Sequence, residues 1–225
     1  MNSTNKRVWF CGIPGSRWSG IDIHMRQTLF CDRTDETVER TQFHRPVTPD
    51  DINNGHRGSY FGPGMGCGED WLDFNYFKPQ KLLDDIDKVF SGDGLRIIKS
   101  HFFARHFNLD YIWNHFPDDY ICLVYREPQK SFAWWSEVMD FDEDHYPDYR
   151  PGYKNYDRMH ELLWRESSKI TDFAIRKQIN FYPYTGPDFF SLMPGYKYNE
   201  AEKIMSDITT QRNDVYVALT KIPNN

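Results

Sequence analysis

Three short clusters in this sequence combine residue types that can hold an anion and move a proton. The first is Ile13-Pro-Gly-Ser-Arg-Trp-Ser-Gly20. A glycine-containing turn that feeds a helix aims backbone N–H groups at one point, where the helix dipole also favours negative charge. Arg17 adds a full positive charge, and Ser16 and Ser19 add hydroxyls, so Pro14 to Ser19 reads as an anion cradle. It is not a Walker A loop, because no Lys precedes a Ser or Thr at the required spacing. The second cluster, Arg96-Ile-Ile-Lys-Ser-His101, ends a strand-like run with Lys99 and His101 two residues apart. At that spacing in a strand both side chains point to one side. A histidine there can serve as a general base and a lysine can neutralise developing anionic charge, the alternative being a structural histidine. In the third cluster, Val124-Tyr-Arg-Glu-Pro-Gln-Lys-Ser131, Arg126 stands where an apolar strand becomes a helix. Its guanidinium could grip a phosphate through two N–H groups. The alternative is a salt bridge to Glu127 or another carboxylate.

The elements that would position these groups follow from hydrophobic spacing. Lys6 to Ile13 is a short β-branched and aromatic run that stops at Pro14-Gly15, a turn signal. Ile21, Met25, Thr28 and Leu29 then recur at helical spacing, with Ser16 and Ser19 as candidate N-caps. Leu82, Leu83, Ile86, Val89 and Phe90 mark a helix from Lys78, and Leu95 to Ile98 a buried strand. Leu109, Ile112, Trp113 and Phe116 mark the next helix, stopped by Pro117. Tyr120 to Tyr125 is nearly all apolar, the mark of a strand covered on both faces. Pro128 opens another helix, with Phe132, Trp135 and Met139 on its buried face, and a long one runs from about Asp157 to Lys177. Val215 to Thr220 is the last strand candidate. Alternating short strands and helices predict an α/β, three-layer architecture with a mostly parallel central sheet. Ligands in such sheets bind beyond the carboxyl ends of the strands, where all three clusters lie. The chain, 1–225, reads as one domain, with 32–76 and 140–156 as substrate-side loops or insertions.

In this order the three clusters resemble the signature segments of sulfotransferases that use 3′-phosphoadenosine 5′-phosphosulfate (PAPS). Ile13-Pro-Gly-Ser-Arg-Trp-Ser is similar to their 5′-phosphosulfate loop, and Ile97-Ile-Lys-Ser-His-Phe102 to their "IKTHLP" segment. Leu123 to Trp135 is similar to their 3′-phosphate segment, "YVxRNPKDxxxSYY". Gly15 stands where that family usually has Lys or Arg, with Arg17 two places on, and Trp134 stands where it has the 3′-phosphate serine, with Ser131 upstream. The late "RKGxxGDW" segment has no counterpart. The resemblance implies a P-loop NTPase-like sulfotransferase fold and PAPS as co-substrate, without a metal. It implies His101 as general base, with Lys99 and Arg17 on the transferring sulfonate. Pro14, Gly15, Ser16, Arg17, Trp18, Ser19, Arg126 and Ser131 would bind the donor. The acceptor would be a carbohydrate or small-molecule hydroxyl. Trp18 or Trp134 could stack on adenine, although core packing is the commoner role.

Composition narrows the classes. With 27 Lys and Arg against 33 Asp and Glu, the formal net charge is −6, which argues against a nucleic-acid partner. No apolar run reaches the roughly 18 residues of a membrane span, and Met1 to Arg7 is too polar for a secretory signal. A cytoplasmic protein is expected. Cys11 and Cys122 sit in apolar runs as buried thiols. The acidic cluster Asp140 to His145 lacks the glycine and terminal Glu of an EF-hand loop, and reads as a solvated loop. Two other readings stay open: a P-loop nucleotide kinase or NTPase, and a non-catalytic glycan- or protein-binding module rich in aromatics.

Overall fold

The computed structural model describes residues 6–37, 58–62, 67–72, 78–105, 108–138, 156–197 and 214–224. Their centre is a five-stranded sheet of β1 (Arg7–Gly12), β2 (Arg96–Lys99), β3 (Tyr120–Arg126), β4 (Tyr182–Pro183) and β5 (Val215–Lys221), in the order β2-β1-β3-β5-β4. The helices are α1 (Trp18–Thr28), α2 (Pro79–Asp87), α3 (Asn108–His115), α4 (Pro128–Val138) and α5 (Tyr156–Arg176).

β1 lies between two parallel neighbours, with Val8 opposite Ile97 on one side and Tyr120 on the other. Strand alternation divides its apolar residues between two cores. Trp9 and Cys11 face a core built with α2, α3, α4 and α5. Val8 and Phe10 face a second, closed by Trp18, Ile21 and Met25 of α1 and by Phe190. Both faces being covered, Val8, Trp9, Phe10 and Cys11 are all fully buried, which explains an apolar run without polar alternation. From β1 the chain moves to one side to form β2, then back past β1 to form β3. The connection from β1 to β2 lays α1 on one face of the sheet and α2 on the other, and α3, between β2 and β3, shares the face of α2. The crevice beyond the carboxyl ends of β1 and β3 is where such a reversal opens a ligand position.

The sheet is mixed rather than mostly parallel. β5 runs antiparallel to β3, pairing Arg126 with Val215 and Tyr120 with Lys221, and β4 is antiparallel to β5. An apolar run carries no sign of direction. Direction is set by where the chain enters the sheet, and here it arrives at the carboxyl end of β3. The residues just before β5 therefore stand beside the ends of the parallel strands.

The described parts of 32–76 are not a detached loop. Phe61 is fully buried and donates its N–H to the Lys99 carbonyl at 2.8 Å, so 58–62 lies along the β2 edge. The cluster Asp140 to His145 lies outside the described residues, as does 140–156 up to Tyr156, which opens α5. Cys11 and Cys122 are buried free thiols. Among the described residues no helix is long and apolar enough to cross a membrane.

Candidate functional site

The loop from β1 into α1 is the hub of the site. Pro14 and Gly15 occupy the two central positions of a turn closed by the Ser16 N–H on the Ile13 carbonyl, 3.1 Å. Gly15 has φ +76°, the left-handed value a type II turn requires at its second central residue. A Cβ there would also lie 2.0 Å from the Ser131 carbonyl oxygen, so only glycine lets the loop rest on α4.

Neither Ser16 nor Ser19 caps α1. The N-cap is Arg17, with no side-chain cap bond, and its φ of 64° is left-handed, costly for a residue with a Cβ. The Ser16 hydroxyl donates back to the Ile13 carbonyl at 2.6 Å, and that of Ser19 meets the Tyr60 hydroxyl at 3.2 Å. The Arg17 guanidinium lies 4.3 Å from the centre of the Trp134 ring, a cation–π contact from the loop to α4. Trp18 packs in the core, stacked on Phe10 at 5.5 Å and 4.0 Å from the His101 ring.

His101 and Arg126 hold this loop from two sides. His101 opens a short 3₁₀ turn, His101–Ala104, directly after β2. Its Nδ1 is hydrogen-bonded to the Gly12 carbonyl. A carbonyl only accepts, so Nδ1 carries the proton and Nε2 is the basic nitrogen of the neutral ring. Arg126, at the end of β3, donates Nη1–H to the Gly15 carbonyl at 3.0 Å. Its Nε and Nη2 both donate to Asp214 Oδ2, at 3.1 and 2.9 Å. Asp214 stands immediately before β5, a position it owes to the antiparallel strand. Ser131 is fully buried, and its Oγ has no hydrogen-bond partner among the described residues.

Lys99 enters the site differently. It is fully buried and its ammonium donates to Asp22 Oδ2 at 2.5 Å. Asp22 Oδ1 accepts from Arg26 Nε at 2.9 Å, and Arg26 forks onto both oxygens of Asp35 at 2.8 Å each. Asp35 Oδ2 also accepts the Ser59 N–H at 2.9 Å, and the next residue, Tyr60, lays its ring 4.5 Å from Lys99 Nζ. The circuit returns to its start and clamps 58–61 against β2. Burial pushes the Asp22 carboxyl up, but Arg26 and Lys99 outweigh it and hold the group below the ordinary carboxylate range. The Lys99 charge is therefore balanced inside the protein.

Pro14 to Ser19, His101, Arg126 and Ser131 thus gather around one loop at the carboxyl ends of β1, β2 and β3. Asp22, Tyr60 and Asp214 were not foreseen from sequence. The i, i+4 spacing of Asp22 and Arg26 in a helix was a readable signal for the first. Tyr60 sits in a stretch without periodicity, and Asp214 is announced only by a polar residue before an apolar strand. Among the described residues no group of three or more His, Cys, Asp or Glu side chains could hold a metal ion. No protein-family model matches this chain, and neither a curated protein nor a solved structure gives a significant match.

Proposed function

We propose that this chain is a sulfotransferase of the PAPS-dependent kind, with the corresponding P-loop-like fold, acting on a carbohydrate or small-molecule hydroxyl. One observation carries the reading. His101 follows β2 and Arg126 ends β3, yet they bond to carbonyls three residues apart, those of Gly12 and Gly15. A base and an anion grip on one loop are what transfer from a phosphorylated donor needs. The fit is supported by Ser131 Oγ, a buried hydroxyl without a partner among the described residues, on the residue that packs against Gly15.

PAPS, when bound, supplies the sulfuryl group and a bisphosphate leaving group. Pro14 to Ser19 cradle its 5′ end, and Arg126 with Ser131 takes the 3′-phosphate. His101 Nε2 accepts the acceptor hydroxyl's proton as the oxygen–sulfur bond forms and the sulfur–phosphate oxygen bond breaks. Arg17 balances charge on the departing oxygen. Sulfuryl transfer resembles phosphoryl transfer, in which positioning and charge stabilisation do most of the catalysis. Lys99, its charge already matched by Asp22, serves the reaction by fixing Tyr60 and the end of β2 beside His101.

The test is transfer of labelled sulfate from PAPS to a panel of sugars, phenols and small alcohols. His101→Ala should keep nucleotide affinity and lose about 10²- to 10⁴-fold in rate, the usual worth of a general base. Full activity in that variant would remove the base assignment.

A further inference from the structure

Two buried arginines in this protein hold carboxylates in different ways. Arg26 meets Asp35 through two parallel bonds to two oxygens, 2.8 Å each, and the Ser59 N–H adds a third. That is the two-pronged geometry in which guanidinium and carboxylate satisfy each other. Arg126 instead directs both Nε and Nη2 at one oxygen of Asp214, at 3.1 and 2.9 Å. The other oxygen, Oδ1, is buried without a hydrogen-bond partner among the described residues. A buried carboxylate oxygen left unmatched is costly, so this pair is the less complete of the two.

The surroundings are those of a seat, not of a finished structural pair. The Arg126 side chain is 2% exposed and that of Asp214 16%, so the arginine is enclosed while the aspartate side chain lies nearer the surface, its Oδ1 still buried. Arg126 Nη1 is engaged by the Gly15 carbonyl, which leaves the Nε–Nη2 edge as the face offered to an anion. Asp214 precedes the first residue of the β5 ladder, so its departure breaks no strand pairing. A phosphate, with more acceptor oxygens than a carboxylate, would give each of the two N–H groups its own partner.

We propose that Asp214 is an affinity-determining residue: an internal anion that occupies the Arg126 seat and must leave before a phosphate can enter. The inference rests on the reading above for the identity of that phosphate. An internal occupant that fills a seat nine parts in ten weakens the apparent affinity about tenfold. Removing its charge should therefore tighten binding, although it removes a native ion pair.

The experiment is calorimetric titration of the wild type, Asp214→Asn and Asp214→Ala with adenosine 3′,5′-bisphosphate and, separately, with inorganic pyrophosphate. Both variants should bind the bisphosphate about tenfold more tightly than the wild type. Equal or weaker binding by variants with native melting curves would overturn the proposal and make Asp214 a support for Arg126. If the bisphosphate binds to none of the three while the variants gain affinity for pyrophosphate, Asp214 is still the competitor and the donor assignment fails. No gain for either probe overturns the inference. Should both variants unfold, a structure of the wild type with the bisphosphate decides: Asp214 displaced by a phosphate upholds the proposal, and an intact Arg126–Asp214 pair beside bound nucleotide refutes it.

Discussion

At the scale of the residue, Arg17 shows how the site is held in an unfavourable state by its neighbours. Its left-handed backbone costs about 1–2 kcal/mol. Its stacking on Trp134 returns about 0.5–2 kcal/mol. The two nearly cancel, so Arg17→Gly should leave the melting temperature within a few degrees of wild type. Affinity for adenosine 3′,5′-bisphosphate should fall, because the loop loses its one full positive charge. A variant that melts much earlier but binds as before would show that Arg17 is structural. His24 gives a prediction about pH. Burial lowers its pKa to about 4 from an ordinary 6.5, and its Nδ1 meets the Tyr184 hydroxyl at 2.6 Å. The folded protein thus keeps His24 neutral where the unfolded chain would bind a proton. The stabilisation is complete above pH 6.5 and is lost as pH falls from there towards 4, on the order of 3 kcal/mol. Chemical denaturation across that window should show stability rising with pH, and His24→Gln should flatten that part of the slope. Asp22 acts in a lower window: its depressed pKa gives stability that is lost only as pH falls below about 3.8.

At the scale of the element, the β1–α1 turn is the piece most tightly specified by its residues. Gly15→Ala meets two penalties, a left-handed backbone and a Cβ 2.0 Å from the Ser131 carbonyl oxygen. The backbone alone costs roughly 1–3 kcal/mol, and each kcal/mol lowers the melting point by roughly 2–4 °C in a domain of this size. The Ser131 carbonyl cannot move without moving α4, so the drop should exceed the upper end of that range. A Gly15→Ala protein that melts like wild type would mean that the turn does not rest on α4. The elements themselves were largely legible in the sequence, because β1 and β3 are buried on both faces and α2, α3 and α5 on one. Three things were not. The direction of β5 depends on where the chain re-enters the sheet, which no local pattern records. The hydroxyls of Ser16 and Ser19 have the type and place of N-caps, but a tight turn claims the first and Tyr60 the second. The strand Tyr182–Pro183 is two exposed residues long and contains a proline, so it carries no hydrophobic signature at all. The candidate site was legible as residue types at strand ends. What escaped was pairing over long sequence separations: Lys99 with Asp22, and Arg126 with Asp214.

At the scale of the whole molecule, the formal net charge of −6 sets a diffuse field that disfavours anions in general. Against that field the proposed donor needs local recognition, which the proposal puts at the crevice where the reversal from β2 back to β3 leaves β1 and β3 side by side. The account therefore predicts selectivity for the position of the phosphates over their number. The most direct measurement is the melting temperature of the full chain with adenosine 3′,5′-bisphosphate and, in parallel, with ATP and Mg²⁺. A ligand at about 100 times its Kd adds about 2.7 kcal/mol, or several degrees for a domain of this size. The account predicts that gain for the bisphosphate and none for ATP with Mg²⁺; a rise with ATP and Mg²⁺ alone would contradict it.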